Sequence, residues 1–226
     1  MLKAEKLVKT YGSGELATPV LKGIDLHIGH GEFVSIIGPS GAGKSTLLYQ
    51  LSLLDEPTAG EVYFDDAPVA MLTPAQKTAL RLTRLGYVFQ DYALLPELTA
   101  IENVALPMLM QGLSEQDAFA KADQALARLD LADRRSHIPA KLSGGQQQRV
   151  AIARSIAHHP SILFADEPTA NLDSANGKVV MEAFLSLWRE GQTIIMITHE
   201  EEYARLTQRR IIMRDGVIVS DEGMRN

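Results

Sequence analysis

The sequence predicts an α/β fold, and three observations predict it. Short apolar runs of strand character alternate with helix-forming segments along most of the 226 residues. A glycine-rich stretch separates one such run from the helix after it. A single long block, residues 97–137, breaks the alternation with Ala, Leu, Gln and charged residues at helical spacing and no convincing strand.

The elements are expected in this order. Residues 33–37 read as a buried strand ending in Gly38, and residues 46–54 as a Leu-rich helix closed by Pro57, with Gly60 turning the chain. Residues 86–89 are a second strand, followed by the helical insert. Residues 162–165, 193–198 and 210–213 resume the strand pattern, with a helix over 174–189 between the first two. Asp215-Gly216 at the centre of residues 213–219 predicts a closing β-hairpin. No internal repeat or Pro/Ser-rich linker divides the chain.

Bulk properties narrow the function classes. Apolar residues make up 46% and charged residues 22%, the balance of a globular protein with a packed core. No run approaches the roughly 18 apolar residues of a membrane span, and MLKAEKLVKT lacks the apolar core of a targeting segment. With no cysteine, disulfide and thiolate chemistry are excluded, and a cytosolic chain is expected. A net charge of −6 gives no overall pull toward nucleic acid or anionic lipid. Arg209 and Arg210 are left as either a local basic patch or a solvated face.

Gly38-Pro39-Ser40-Gly41-Ala42-Gly43-Lys44-Ser45-Thr46 fits G-x-x-x-x-G-K-[ST]. Glycines let successive backbone N–H groups turn inward and approach phosphates that a Cβ would hold off. The helix that follows adds its N-terminal amides, Lys44 a full positive charge, and Ser45 a hydroxyl suited to Mg²⁺. The loop alone specifies only a nucleoside triphosphate.

A distant carboxylate must complete such a site, and the string DEPTA occurs twice, at Asp55–Ala59 and Asp166–Ala170. Only the second follows an apolar strand, which puts Asp166 at a C-terminal strand tip, where ligand sites of open α/β sheets gather. Asp166 is therefore the expected metal residue and Glu167 the carboxylate that polarises water. The copy at Asp55 is expected to be structural.

Leu142-Ser143-Gly144-Gly145-Gln146 opens a further helix with small, amide-rich residues suited to an anion; Ser143 also caps well, but the order and spacing of the motifs leave a plain N-cap little room. With this segment the chain resembles the nucleotide-binding subunit of ABC transporters. The resemblance implies a P-loop NTPase with a RecA-like core, an N-terminal antiparallel β part and a helical lobe, about residues 91–141, inserted in one domain spanning 1–226. It implies ATP and Mg²⁺ as ligands. Tyr11 would stack on adenine, although a surface or core tyrosine would look the same. Gln90 would reach the metal and the water, Asn171-Leu172-Asp173 would cross a dimer interface, and His199 would contact the γ-phosphate. The implied catalytic set is Glu167, His199, Gln90 and Lys44, and the implied metal set Ser45, Gln90 and Asp166. Ser143, Gly144, Gly145 and Gln146 would close on ATP held by a second copy of the chain. The residue after His199 is Glu200, where the family usually has aspartate, with no expected effect on chemistry.

Residues 84–96, 102–107 and 166–174 are similar to the group serving lipoprotein release and macrolide export. Transmembrane permease subunits are the implied partners, with the membrane reached only through them, on its cytoplasmic side. No direct nucleic-acid partner is expected. Amino-acid importers and soluble ATPases that clamp nucleic acid are the alternatives.

Overall fold

The structure is a computed structural model that describes residues 1–223, apart from the side chain of Glu15. It folds as two compact units, residues 1–81 with the segment from Gly191 onward, and residues 82–190.

The first unit opens with β1 (Leu2–Tyr11) and β2 (Thr18–Ile28), an antiparallel pair. In β1 the buried positions shift from Leu2 and Ala4 to Leu7. A bulge at Lys6, with φ of 47°, moves the inward face by one residue. β3 (Phe33–Ile37) follows, then α1 (Lys44–Leu51), β4 (Ala59–Phe64), β5 (Ala67–Pro68) and α2 (Pro74–Arg84). The first sheet has the order β2-β1-β4-β5.

Two expectations fail here. The helix after the glycine loop ends at Leu51, short of Leu54, because Leu53 takes a left-handed φ of 61°. The N–H groups of Leu54 and Asp55 both return to Tyr49 O instead. Pro57 thus lies beyond a helix already closed. Gly60 does not turn the chain either. It sits inside β4 at φ +83°, where a Cβ would lie 2.3 Å from Lys6 O, so it accommodates the bulge of β1.

The second unit contains β6 (Leu85–Val88), α3 (Ala100–Met110), α4 (Glu115–Arg128), α5 (Gly144–Ile156), β7 (Ile162–Asp166) and α6 (Ser174–Arg189). No strand forms between residues 88 and 162, as the helical spacing predicts. α3, α4, α5 and α6 each begin at a side-chain cap, namely Thr99, Ser114, Ser143 and Asp173. β6 and β7 pair in parallel, Val88 opposite Ala165.

The chain then returns to the first unit through β8 (Thr193–Ile197), α7 (Glu201–Ala204), β9 (Arg209–Arg214) and β10 (Val217–Gly223). β3 runs parallel between β8 and β9, and β3 and β8 are nearly continuous, buried apolar runs, as strands covered on both faces must be. The hairpin forms at Asp215-Gly216, whose φ values of 50° and 81° suit a two-residue turn. Arg209 and Arg210 make neither a basic patch nor a solvated face. Arg209 pairs with Glu32 and Asp221, and Arg210 with Glu201 and Glu222. Four carboxylates cancel the charge that the sequence alone leaves open.

Candidate functional site: a phosphate loop and a carboxylate-bearing strand edge

In the first unit, β3 delivers the chain into the glycine loop. Gly38 has φ +148°, and a Cβ there would lie 2.1 Å from Met213 O of β9, so the strand can leave the sheet only with glycine. Gly41 and Gly43 also take positive φ, and Lys44 begins α1. Gly43 stands at the N-cap and supplies no side-chain hydrogen bond to the first turn. An anion is the natural partner for such amides. Lys44 is 5% exposed, and its Nζ donates to Gly38 O and Pro39 O, both at 3.0 Å, which fixes the ammonium across the loop.

β8 sets the next residue by pairing. Ile197 lies opposite Ile36 in the parallel ladder, so Thr198 and His199 leave the sheet at the same end as the glycine loop. Buried Thr198 accepts the Glu200 N–H at 3.1 Å, and His199 is exposed. Tyr11 ends β1, 43% exposed, with its hydroxyl donating to Asp55 Oδ2 at 2.9 Å.

In the second unit the same logic gathers the acidic residues. β6 and β7 end side by side, which puts Gln90 at the same sheet end as Asp166 and Glu167. Asp166 is the last residue of β7 and 7% exposed. Glu167 takes a left-handed φ of 46°, backbone strain of a kind that concentrates at functional sites. Asn171 Nδ2 donates to Gln90 O at 3.0 Å, while the Gln90 side chain faces solvent.

α5 opens with a capping box. Ser143 Oγ accepts the Gln146 N–H at 3.3 Å, and Gln146 Oε1 accepts the Ser143 N–H at 2.9 Å. Gly144 and Gly145 are small for a reason of packing. A Cβ on Gly145 would fall 2.3 Å from Asn176 Oδ1, and one on Gly144 3.0 Å from the Tyr92 hydroxyl. Asp173 caps α6 by accepting the Asn176 N–H at 2.8 Å. Ser143 and Asp173 therefore both do the local capping work that their residue types suggest.

Sequence reasoning missed two residues. Arg154 of α5 donates through its guanidinium to the carbonyls of Tyr92 and Ala93, which clamps the segment after Gln90. Burial lowers its pKa, with Asp91 opposing. Asp55 is the other, since it holds Tyr11. Both partners lie dozens of residues away along the chain, so no local pattern could announce them.

The model of the family described as ABC transporter matches residues 21–170. The chain belongs to the ABC transporter family. This cassette is 50% identical over 221 residues to the lipoprotein-releasing system ATP-binding protein LolD of Aquifex aeolicus, covering 98% of this chain and 97% of that protein. It is 46% identical to the macrolide export ATP-binding/permease protein MacB of Marinobacter nauticus, covering 99% of this chain but 35% of that longer protein. Among solved structures, the dimeric ATP-binding cassette MJ0796 in a post-hydrolysis state with ADP and Pi matches at TM-score 0.92 and 42% identity, with each chain covered in full. The fold is the α/β P-loop fold of ABC ATPases, and the cassette is an ATP-binding, ATP-hydrolysing transporter subunit. Among the described residues, no helix is long and apolar enough to cross a membrane.

Proposed function

We propose that this cassette drives extraction or export of cargo through partner transmembrane subunits, in the manner of lipoprotein-release and macrolide-export systems. The names of relatives in both groups support that class. The reading places the cassette at the cytoplasmic side of the membrane, held there by its partners. It also treats residues 1–226 as one nucleotide-binding domain with a helical lobe at about 91–141.

The observation that carries the chemistry is the glycine loop running from buried β3 into a helix with no side-chain cap. Backbone N–H groups of the loop, Pro39 excepted, and Lys44 hold the phosphates, and Tyr11 carries the adenine. Ser45, Gln90 and Asp166 offer a hydroxyl, an amide oxygen and a carboxylate, hard oxygen donors of the kind Mg²⁺ accepts alongside phosphate oxygens and water. When bound, Mg²⁺ neutralises charge developing on the transferring phosphoryl group. Glu167 orients the attacking water and His199 steadies the γ-phosphate. Hydrolysis needs placement and charge stabilisation rather than a covalent intermediate. Ser143 to Gln146 of a second copy complete the enclosure, and the copy's MJ0796 likeness, itself dimeric, supports this.

Phosphate release by the purified chain tests the reading. Glu167→Gln should still bind ATP while its turnover falls by roughly a hundredfold or more, the range for loss of a positioned base. Near-normal turnover in that variant overturns the assignment.

A further inference from the structure

The first DEPTA copy is engaged rather than idle. Asp55 lies on a turn folded back against α1, its N–H reaching Tyr49 O at 3.2 Å. Its carboxylate accepts the Tyr11 hydroxyl at 2.9 Å, the Lys9 ammonium at 2.7 Å and the Glu56 N–H at 2.8 Å. Lys9 closes the triangle, because its ammonium lies 4.9 Å from the centroid of the Tyr11 ring. The Lys9 side chain is 12% exposed, so a largely desolvated cation takes one face of the ring. Burial works against the charge on Asp55, yet Lys9, Tyr11 and the Glu56 amide together hold its pKa below the ordinary carboxylate range.

An exposed tyrosine ordinarily samples several rotamers, and a ligand that stacks on it must first fix one. Here the ring is anchored at its hydroxyl and backed by a cation before any ligand arrives. Because Asp55 itself bonds Tyr49 O of α1 through its N–H, the ring is tied through Asp55 to the helix whose N-terminus follows the glycine loop.

We propose that Asp55, acting with Lys9, is a positioning residue for the nucleobase: it sets Tyr11 as a stacking platform at a fixed distance from the phosphate loop. This rests on the reading of Tyr11 as the adenine platform. Asp55 touches no ligand, and its effect passes through the phenol.

Calorimetric titration of the full chain decides the matter. The probes are adenylyl imidodiphosphate and inorganic tripolyphosphate, each with Mg²⁺, and the variants are Asp55→Ala, Tyr11→Phe, their combination, and Tyr11→Ala. Asp55→Ala and Tyr11→Phe should each weaken adenylyl imidodiphosphate binding by about three- to tenfold, the loss expected when one side chain must be ordered on binding. Tripolyphosphate binding should hold, and the double variant should bind no worse than the weaker single one, because both remove the same contact. In steady-state hydrolysis the change falls on KM rather than kcat. Additive losses, an equal loss for tripolyphosphate, or no loss overturns the proposal. Tyr11→Phe decides even if Asp55→Ala folds poorly, since it deletes only the hydroxyl. If Tyr11→Ala keeps the preference for the adenine compound, the platform reading itself fails, and the role of Asp55 with it. If Tyr11→Ala loses that preference while Asp55→Ala and Tyr11→Phe keep it, the role of Asp55 alone falls.

Discussion

Single residues divide by how far away their partners lie. Lys44 and the loop glycines were legible because the groups they serve sit within a few positions, so spacing carried the chemistry. Asp166 was legible because the apolar strand before it fixes its place at a strand tip. Asp55 was expected to be structural, and its contacts are of that kind, but which groups it holds was not legible, because its partners Lys9 and Tyr11 are distant in the chain. His158 shows the same limit. Its Nε2 bonds Leu85 O at 3.1 Å, its Nδ1 is buried without a hydrogen-bond partner, and burial holds its pKa below the usual histidine value, with His159 and Lys121 adding repulsion. The unfolded chain binds that proton more readily, so stability present above about pH 6.5 declines as pH falls toward the depressed folded value. Urea unfolding between pH 7 and pH 5 should therefore show a stability loss in the parent that His158→Gln reduces. An equal slope in both proteins would remove His158 as its source.

At the scale of elements, cap chemistry is local to the sequence while strand irregularities are not. The capping boxes Thr99–Glu102 and Ser143–Gln146 are written in sequence because a cap needs only the next three residues. The bulge in β1 and the glycine of β4 opposite it were not readable, since each makes sense only once the two strands are paired. Asn103 shows how an element can hold a loop. It is fully buried in α3, where its Nδ2 donates to Leu95 O, Leu98 O and Thr99 O at 3.0–3.1 Å, and its Oδ1 accepts the Leu95 N–H at 2.8 Å. Asn103→Leu keeps the volume but strands the Leu95 N–H and Leu98 O, while Thr99 O and Leu95 O keep backbone donors, which should destabilise the fold by about 2–4 kcal/mol in denaturant titration. A loss below about 1 kcal/mol would mean that the loop finds water or other partners instead.

For the whole molecule, the proposed assembly makes the strongest demand. With ATP and Mg²⁺ the Glu167→Gln variant should elute as a dimer in size-exclusion chromatography and revert to a monomer when the nucleotide is removed. Adding Ser143→Arg should abolish that dimer. The cap lost at Ser143 costs only about 1 kcal/mol, too little to unfold the chain, so a retained melting transition separates a blocked interface from a collapsed fold. Persistence of the dimer in the double variant would remove Ser143 from the contact.

By itself the sequence determined the α/β class, the glycine loop, the helical block and the family, because each is encoded in local periodicity or in short strings whose chemistry is self-contained. Only the tertiary structure decided that Arg209 and Arg210 are neutralised by four carboxylates, that Gly60 serves a bulge, and that Asp55 grips Tyr11 while Arg154 grips the chain after Gln90. The physical reason is common to all of them. Charge cancellation, close backbone approach and side-chain tethering depend on distances between residues remote in the chain, and those distances exist only after the strands have paired.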